Sequence, residues 1–395
     1  MGQELTSISN KTVAVIGGGP AGCICAKFLS DAGIDVTVFD KGKLLRTLLP
    51  TGGGRCNLAH ADFDFKSLAQ NYPRGEKFLY SVFSKFGTNE TLKFFKSIGV
   101  ETYIQEDNRI FPNSNSSADV REKFLNSLKS KLIKENVITI TPLSNGYEIE
   151  TEKSKYYFDK VVISVGGHNG YGVLKKMDIN IIEPVPCLVG LICKEDFSSV
   201  AGVSIKNVKA KVLKNNFKGD LLFTHNGISG PLIYTISSVF AREKLPYKVN
   251  LRFTDDFDFQ KLLNEFPHKE IKNLMSQFIP KSFAYYLLSK LNINLELPCH
   301  KINAKMRNNI YTALTNFEII IKDKVPDGEV VTCGGVDLKE INPKTMGAKK
   351  YDGLYFCGEV LDIDGFCGGF NLQNCWSTGF VCADSIISNI NNCAK

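Results

Sequence analysis

The stretch TVAVIGGGPAGCICAKFLSDAG, residues 12–33, decides the fold. An apolar run at residues 12–16 is followed at once by the spacing Gly-x-Gly-x-x-Gly, with glycines at 17, 19 and 22. Glycines at this spacing form a tight turn, let the backbone approach a pyrophosphate, and allow the next helix to pack closely on the strand. The free N–H groups at the start of that helix attract negative charge. The stretch therefore predicts a strand, a turn and a helix that bind a dinucleotide.

A second strand is predicted at residues 35–39, and it ends in Asp40. A carboxylate about twenty residues after the first glycine accepts the ribose hydroxyls of an adenosine. It would repel a 2′-phosphate, which favours FAD or NAD over NADP at this first site. The predicted contacts to this end of the cofactor are Gly17, Gly19, Pro20, Ala21, Gly22, Asp40 and Lys41.

Bulk composition sets the class of protein. A chain of 395 residues predicts two or three domains. Residues 1–11 lack the apolar core of a signal peptide, and no apolar run reaches the roughly 18 residues that span a bilayer, so a cytoplasmic protein without membrane contact is expected. The formal charge of +7 is spread thinly. That charge is typical of a solvated surface, although it would also suit an anionic substrate or a nucleic acid.

Twelve cysteines occur without any Cys-x-x-Cys pair, and the five histidines are far apart in the sequence. These patterns lack the ligand spacing of zinc sites and the spacing of a thioredoxin-type dithiol. We therefore expect no metal site, and we expect thiols that are reduced and mostly buried.

Apolar spacing predicts helices over residues 78–86, 92–98 and 119–135, with Asp119 as the N-cap of the third. Short strands are expected at residues 137–140, 147–151 and 155–158. A buried parallel strand is expected at residues 160–165, followed by Gly166 and Gly167. Paired glycines after such a strand indicate either close approach to a ligand or an ordinary turn.

From about Pro184 the pattern changes to short strands, and residues 258–315 have helical spacing interrupted by prolines. This pattern predicts an inserted β-rich unit with a small helical subdomain. The predicted boundaries are 1–186 with 345–395 for the nucleotide-binding domain, 187–256 with 316–344 for the insert, and 257–315 for the helical subdomain.

The C-terminal region predicts a return to the first domain, with a buried strand over residues 353–359 and a helix from Cys375 to Ile390. A strand and helix in this position suit the ribityl and isoalloxazine end of FAD. Backbone N–H groups and a helix dipole at the pyrimidine edge of the flavin make its reduction easier. The predicted contacts at this end are Gly358, Glu359, Gly369, Phe370, Asn371, Leu372 and Gln373.

Several blocks resemble the signature of one bacterial flavoprotein family, the BaiN-like NAD(P)/FAD-dependent oxidoreductases, which include aminoacetone oxidases and bile-acid-pathway reductases. The blocks are residues 51–58, 224–231, 332–336, 342–346, 353–359 and 368–373. The resemblance implies an α/β fold in which a glutathione-reductase-type FAD-binding Rossmann domain is interrupted by a β-barrel-like insert with a small helical subdomain. It also implies cofactor contacts from Gly53, Gly54, Arg55, Cys56, Gly166 and Gly167.

Three features depart from that family. Phe370 stands where the family usually has Tyr, the stretch after His168 is short and poor in glycine, and Cys357, Cys367 and Cys375 crowd the flavin end. The second departure leaves the substrate open, because this stretch would shape the entry to the flavin.

Candidate catalytic residues each have two interpretations. His225 is either an acid or base that faces the flavin, or a residue that caps a turn. Arg55 either binds a substrate carboxylate or neutralises the pyrophosphate, and the second is favoured. Cys56 and Cys357 are either redox thiols or buried spectators, and again the second is favoured.

The sequence therefore predicts an FAD-dependent oxidoreductase that acts on a small molecule by hydride transfer to or from the flavin. Because only one complete glycine motif is present, an oxidase is slightly favoured, or a reductase at which NAD(P)H docks transiently. A flavin-dependent RNA-modifying enzyme or RNA-binding flavoprotein is the alternative. No nucleic-acid partner is expected, and the substrate, the electron donor or acceptor and the oligomeric state stay open.

Overall fold

The computed structural model describes residues 11–167, 170–174, 177–326 and 331–393. The chain forms two compact units, one from residues 1–185 with 331–395 and the other from residues 186–330, which we call the first unit and the inserted unit. In this division the chain returns to the first unit at residue 331, and the strand Val331–Val336 pairs with the strand Ile181–Cys187.

Within the described ranges, the strands are β1 (Thr12–Ile16), β2 (Asp35–Phe39), β3 (Ala59–His60), β4 (Thr102–Ile104), β5 (Arg109–Pro112), β6 (Lys131–Ile133), β7 (Val137–Pro142), β8 (Tyr147–Thr151), β9 (Lys155–Phe158), β10 (Lys160–Ile163), β11 (Ile181–Cys187), β12 (Leu191–Cys193), β13 (Ser204–Val212), β14 (Asn215–Thr224), β15 (Gly227–Ser229), β16 (Tyr247–Arg252), β17 (Phe317–Lys324), β18 (Val331–Val336) and β19 (Leu354–Phe356). The α-helices are α1 (Pro20–Asp31), α2 (Phe65–Ala69), α3 (Glu76–Phe83), α4 (Thr88–Ser97), α5 (Ser117–Ser127), α6 (Pro231–Val239), α7 (Phe259–Glu265), α8 (Ile271–Met275), α9 (Lys281–Lys290), α10 (Ala304–Thr315) and α11 (Phe370–Cys393).

A five-stranded parallel sheet forms the centre of the first unit, in the order β19-β10-β1-β2-β6. In the middle of this sheet Val15 lies between Val162 and Val38. All three are fully buried, as expected for parallel strands that are covered on both faces. Two small antiparallel sheets, β3-β5-β4 and β7-β8-β9, complete the unit.

The N-terminal and C-terminal segments of the first unit pack against each other. A side chain at Gly379 of α11 would lie 2.5 Å from the carbonyl oxygen of Ala21 and 2.5 Å from Ile24 Cγ2 of α1. Only a glycine at residue 379 lets the two helices approach this closely. The Rossmann fold is therefore completed by the last helix of the chain.

The predicted helix over residues 119–135 is wrong in its second half. Helix α5 ends at Ser127, and residues 131–133 instead form β6, in which Leu132 pairs with Val38 of β2. Pairing with an available sheet edge overrides the helical spacing of the apolar residues. The N-cap is also shifted, because Ser116 Oγ accepts a hydrogen bond from Asp119 N at 3.3 Å.

The predicted start of the last helix at Cys375 is also wrong, because α11 begins at Phe370. Asn371, Leu372 and Gln373 therefore lie in its first turn instead of preceding it. The N–H of Gln373 already donates to Gly369 O at 3.0 Å.

The inserted unit contains a closed barrel with the order β12-β15-β14-β13-β16-β17. Helices α6 to α10 share one hydrophobic core with the barrel, as shown by the buried cluster that joins Phe223 and Phe283 through stacked rings 4.6 Å apart. The predicted fold class, a Rossmann domain interrupted by a β-barrel-like insert with helices, is confirmed.

Candidate cofactor and active site

Two glycines of the turn after β1 leave no room for a side chain, whereas the third does. Gly17 has a φ of +107°, and a Cβ at Gly22 would lie 2.0 Å from Gly17 O. At Gly19 the nearest atom to an added Cβ is Thr47 Oγ1, 4.0 Å away. Helix and strand are thus in direct contact, while the backbone at Gly19 is free for a ligand to approach.

Helix α1 begins at Pro20 directly after this turn, and its N-cap residue Gly19 provides no side-chain cap. The first N–H groups of a helix have no partner within the helix. Together with the helix dipole, they form a site for an anionic group such as a pyrophosphate.

Asp40 lies at the end of β2, beside the turn. Its Oδ2 accepts a hydrogen bond from Gly18 N at 2.7 Å, and its Oδ1 accepts one from Gly42 N at 2.6 Å. These bonds fix the carboxylate, and each oxygen keeps a lone pair for a ribose hydroxyl. Lys41 follows it on the surface.

The strands β1, β2, β10 and β19 are parallel, so their carboxyl ends meet at one edge of the sheet, where ligands bind in such folds. The segments that follow β10 and β19 are in contact there through Thr332. An added Cβ at Gly167 would lie 2.5 Å from Thr332 Cβ, and Glu359 Oε1 accepts a hydrogen bond from Thr332 N at 2.9 Å. Thr332 therefore contacts both Gly167 and Glu359, two predicted site residues that are nearly 200 positions apart in the sequence.

Because it has no side chain, Gly358 lets the segment after β19 lie directly against α1. An added Cβ there would lie 2.6 Å from Ala21 Cβ, and Gly358 N donates to Thr378 Oγ1 at 2.9 Å. Residues from both ends of the chain therefore border the same edge of the sheet.

Three predicted glycines leave room for a cofactor. An added Cβ at Gly53, Gly54 or Gly166 would find no atom within 4 Å. Glycine backbone with free space beside it fits a large planar or extended ligand. The residues present therefore fit a cofactor of the size of FAD.

The start of α11 supplies backbone groups rather than side chains. Asn371 Oδ1 accepts from Gly365 N and its Nδ2 donates to Gly365 O, both at 2.8 Å, so this side chain holds the preceding turn. Tyr72 OH donates to Phe370 O at 2.6 Å. The N–H groups of the first turn are thus the part of the predicted Phe370–Gln373 segment that is available to a flavin.

Buried polar atoms in the described residues also fit a polar ligand. Gln373 Nε2 donates to Thr91 Oγ1 at 2.8 Å and to Ser377 Oγ at 2.9 Å, while its Oε1 has no partner in the described part of the chain. Asn374 Oδ1 and Tyr171 OH likewise have no hydrogen-bond partner among the described residues. Buried polar atoms are normally satisfied, so such groups mark places where a ligand or water belongs.

The two thiols considered as redox groups, Cys56 and Cys357, are both buried. Burial raises the pKa of Cys56 to about 12, which keeps the thiol protonated at neutral pH. A hydrogen bond with Cys25, together with burial, holds the pKa of Cys357 well above its ordinary value. A thiol that stays protonated is a poor nucleophile.

His225 lies in the turn between β14 and β15 and is exposed to solvent. It belongs to the inserted unit, whereas the residues described above belong to the first unit. Its catalytic role therefore stays a prediction. His168, which marks the short stretch noted in the sequence, lies outside the described residues.

Two residues of interest, His60 and Arg109, had no sequence signal, and a third, Cys367, was noted only among the cysteines at the flavin end. His60 stacks on Phe370 with ring centroids 4.5 Å apart, and its Nδ1 lies 3.2 Å from Gly368 O. Arg109 lies above the Phe111 ring, and Cys367 is exposed in the turn before α11. His60 and Arg109 pair across β3 and β5, two strands that the sequence did not predict.

Fold and site together define an FAD-dependent oxidoreductase with a Rossmann fold. The chain belongs to the family described as HI0933-like protein Rossmann domain, which matches residues 11–385.

Two relatives cover almost all of the chain. The 3-dehydro-bile acid delta(4,6)-reductase of Clostridium scindens is 28% identical over 93% of this chain and 97% of its own. The ribosomal RNA dihydrouridine synthase of Escherichia coli is 26% identical over 95% of this chain and 97% of its own.

Among solved structures, the 3-ketosteroid delta1-dehydrogenase of Sterolibacterium denitrificans aligns with a TM-score of 0.50 and 13% identity. The alignment covers 96% of this chain and all of that one, and it shows the shared fold. In the described ranges, no helix combines the length and the apolar character that crossing a bilayer requires.

Proposed function

We propose that this protein is an FAD-dependent reductase that adds two hydrogens across a carbon–carbon double bond conjugated to a carbonyl group. The observation that carries the proposal is the chemistry common to the names of the two relatives. A delta(4,6)-reductase of a 3-dehydro steroid acts on double bonds conjugated to a ketone. A dihydrouridine synthase adds hydrogen to the uracil double bond, which is conjugated to a ring carbonyl.

The site supports a flavin in this role. The turn at Gly19 with the N-terminus of α1 would hold the pyrophosphate, Asp40 the ribose, and Glu359 with the glycines at 53, 54 and 166 the remaining length. When bound and reduced, FAD supplies a hydride equivalent. The N–H groups and dipole of α11 favour negative charge at its N-terminus, which is the charge that a reduced flavin carries.

The electron donor in this proposal is NADH or NADPH, docked transiently. One complete Gly-x-Gly-x-x-Gly turn is present in the sequence, and it is taken by FAD. Such a donor is a cytoplasmic metabolite, so the proposal includes a cytoplasmic location. The first-choice substrate is a small unsaturated carbonyl compound.

Anaerobic stopped-flow spectroscopy of the purified holoprotein tests the proposal. NADH or NADPH is expected to bleach the flavin, and a 3-oxo-4-ene steroid or free uridine is expected to restore its colour without oxygen. A flavin that is bleached by amines and recoloured by oxygen alone would identify an oxidase and contradict the proposal.

A second candidate substrate is a uridine within RNA, and the charge of the inserted unit favours it. Residues 186–330 contain 20 Lys and Arg against 14 Asp and Glu, so this unit carries most of the net charge. On β13, β14 and their connecting turn, exposed lysines are close neighbours, and Lys209 lies directly opposite Lys218. The exposed lysines are Lys206, Lys209, Lys211, Lys214 and Lys218.

RNA binding is measured by filter retention of ribosomal RNA fragments at increasing salt. A nucleic-acid surface predicts a steep loss of affinity between low and physiological salt. Replacing Lys211, Lys214 and Lys218 by Gln should reduce the salt slope by about 2–3. The matched control replaces Lys261, Lys281 and Lys305 on the helices of the same unit. Equal effects of the two triple variants would contradict RNA recognition by the barrel.

A further inference from the structure

The short strand β3 places a histidine against the turn that precedes α11. The His60 ring stacks on the Phe370 ring with centroids 4.5 Å apart, and its Nδ1 lies 3.2 Å from Gly368 O. An added Cβ at Gly369 would lie 2.4 Å from Ala59 O, so strand and turn are in direct contact. His60 therefore borders the N-terminus of α11, where the proposed function puts the negative charge of the reduced flavin.

The contact with Gly368 determines which nitrogen of His60 is free. A carbonyl oxygen accepts and cannot donate, so Nδ1 carries the proton of this hydrogen bond. Nε2 has no hydrogen-bond partner in the ranges that the structure describes. It is an acceptor in the neutral ring and carries a second proton in the imidazolium. The half-buried ring thus exchanges its proton through Nε2.

The backbone of His60 is held on both sides. The residue pairs with Arg109 of β5, and Thr88 Oγ1 at the start of α4 donates to His60 O at 3.2 Å. Together with the stacked ring of Phe370, these contacts restrict the imidazole to one orientation. A group that transfers a proton needs this restriction, because its distance from the reacting atom decides the rate.

The two arginines of this region cannot act as proton donors. Arg109 Nε donates to Asp107 Oδ2 at 2.7 Å, and Arg55 Cζ lies 4.2 Å from the centroid of the Phe111 ring. A guanidinium stays protonated in proteins, so neither side chain gives up a proton during a reaction.

The helices packed against β3 do not supply a donor either. On α4, Glu90 pairs with Lys93 at 3.7 Å. Along α11 the first charged residue is Asp384, about four turns from the start of the helix. Among the described residues of β3, β5 and the first turns of these two helices, His60 is the one whose charge changes near neutral pH.

Two buried amide side chains at the start of α11 point to a polar ligand there. Gln373 Oε1 and Asn374 Oδ1 have no hydrogen-bond partner in the described part of the chain, although the residues are only 0% and 2% exposed. Buried oxygen atoms without a donor are rare in folded proteins. A helix dipole that attracts negative charge, together with unpartnered acceptors, fits a ring that has an N–H donor and becomes negative on reduction.

We propose that His60 is a catalytic residue, whose Nε2 donates the proton that completes the reduction of an unsaturated carbonyl compound. This inference rests on the proposed function, since it assigns the proton that such a reduction consumes. The substrate class is defined by a carbon next to the carbonyl group that becomes basic once the double bond has received a hydride.

Atoms and electrons balance in this step. The β-carbon receives a hydride that originates from NADH or NADPH, and the π electrons of the double bond move toward the carbonyl oxygen. The α-carbon of the resulting enolate then takes the proton of His60 Nε2, and the electrons of the broken N–H bond stay on that nitrogen. Water returns a proton to the ring, while Nδ1 keeps its hydrogen bond to Gly368 O. The product carries one additional hydrogen on each of the two carbons.

The position of His60 is tested without turnover, by carbethoxylation with diethyl pyrocarbonate and peptide mapping. FAD added to the apoprotein should slow the modification of His60 about threefold or more, because a bound cofactor excludes the reagent. His300 of the inserted unit is the matched control, since its Nδ1 also lies near a backbone oxygen, 2.8 Å from Pro267 O. Its modification should not change. FAD that binds without protecting His60 would overturn this placement.

Two amide variants separate a catalytic role from a structural one. In His60→Asn the amide nitrogen replaces Nδ1 and still donates to Gly368 O, while nothing replaces Nε2. In His60→Gln the amide nitrogen replaces Nε2, and the bond to Gly368 is lost. Both variants should slow anaerobic recolouring of the flavin by a 3-oxo-4-ene steroid or uridine about 100-fold. His60→Asn should keep the wild-type unfolding temperature and the wild-type rate of bleaching by NADH or NADPH.

The pH dependence gives a readout that a structural role would not change. The wild-type rate of recolouring should fall as the pH rises, because only the imidazolium carries a proton on Nε2. This fall should be absent in His60→Asn. His300→Asn should match the wild type in rate and in pH dependence.

The outcomes distinguish the two proposals. Recolouring of His60→Asn at the wild-type rate would show that the bond to Gly368 is the whole role of His60, and the reductase function would stand without this proton donor. Should His60→Asn not fold, a fall of the rate with pH that persists in His60→Gln would lead to the same conclusion. If no unsaturated acceptor recolours the wild type, the reductase function fails, and the role of His60 fails with it.

Discussion

At the scale of single residues, the glycines of the first turn have separate physical roles. Gly22 is a packing position, because an added Cβ there would meet Gly17 O, and Gly19 is the candidate ligand position, because the nearest described atom to an added Cβ is Thr47 Oγ1, 4.0 Å away. The same motif thus serves both the fold and the cofactor. Adding one methyl group at each position in turn should therefore disturb the fold in one variant and cofactor binding in the other.

We predict that Gly22→Ala unfolds the first unit, whereas Gly19→Ala folds and fails to bind FAD. The added Cβ at Gly22 would lie 2.0 Å from a backbone oxygen. Such overpacking costs about 3 kcal/mol or more. At Gly19 the methyl group points into open space that the pyrophosphate would occupy. Thermal unfolding of the apoprotein and FAD titration by fluorescence measure the two effects. Equal losses of stability in both variants would contradict this separation.

At the scale of elements, one carboxylate connects two strands at the amino-terminal edge of the parallel sheet. Asp159 Oδ2 accepts hydrogen bonds from Thr12 N at 2.8 Å and Thr12 Oγ1 at 3.0 Å, and its Oδ1 pairs with Lys11 Nζ at 3.2 Å. Although partial burial alone would raise the pKa of Asp159, these bonds to β1 and Lys11 hold it below its ordinary value. The carboxylate thereby joins β10 to β1.

We predict that Asp159→Asn destabilises the protein by about 1–2 kcal/mol at pH 7, because hydrogen bonds to a charged group are lost. Since the folded-state pKa is lowered, the stabilisation is complete above the unfolded pKa of about 3.9 and disappears as the pH falls through the folded value. Urea unfolding at pH 7 and at falling pH should therefore show a shrinking gap between variant and wild type.

Asp384→Asn is the control for this prediction. Asp384 is 42% exposed and pairs with Lys85 at 3.2 Å. An exposed pair of this kind contributes well under about 1 kcal/mol. A gap for Asp159→Asn that stayed constant with pH would show that the bonds, not the charge, account for its effect.

Elements with a strong intrinsic period were predictable from the sequence, and those defined by a distant partner were not. The β1–α1–β2 unit follows from apolar spacing and glycines. Strand β6 has three residues and exists because β2 offers an edge, which is why helical spacing misled at Leu132 and Ile133. The start of α11 at Phe370 depends on the turn that Asn371 and Tyr72 hold.

The candidate site divides in the same way. Backbone contacts at Gly19, Gly53, Gly166 and Gly358 follow from glycines in a recognisable order. The contact of Arg55 with the Phe111 ring does not, because the two residues are distant in sequence and meet at a small antiparallel sheet. No local pattern contains that information.

At the scale of the whole molecule, each unit has its own hydrophobic core. The parallel sheet contributes Val15 and Phe356 to one core, while Phe223 and Ile319 belong to that of the inserted unit. The residues assigned to FAD lie in the first unit. The cofactor should therefore stabilise one part of the molecule selectively.

We predict that FAD raises the unfolding midpoint of the first unit and leaves that of the inserted unit unchanged. FAD at 100 times its dissociation constant adds about 2.7 kcal/mol to the state that binds it. Hydrogen exchange read by mass spectrometry in increasing urea assigns protection to peptides of each unit. Equal gains in β1 and β16 peptides would contradict selective stabilisation.

The position of β19 at the edge of the parallel sheet has a consequence for biosynthesis. As the nascent chain leaves the ribosome, β10 is complete before its outer neighbour β19 has been synthesised. About 190 further residues separate the two strands, which corresponds to roughly 10–40 s at ordinary translation rates. During that interval an apolar strand edge is exposed to wrong pairing, and a chaperone that shields it would raise the yield. Flavin loading can begin only once translation has passed the final strand, so prematurely terminated chains should accumulate as colourless aggregates.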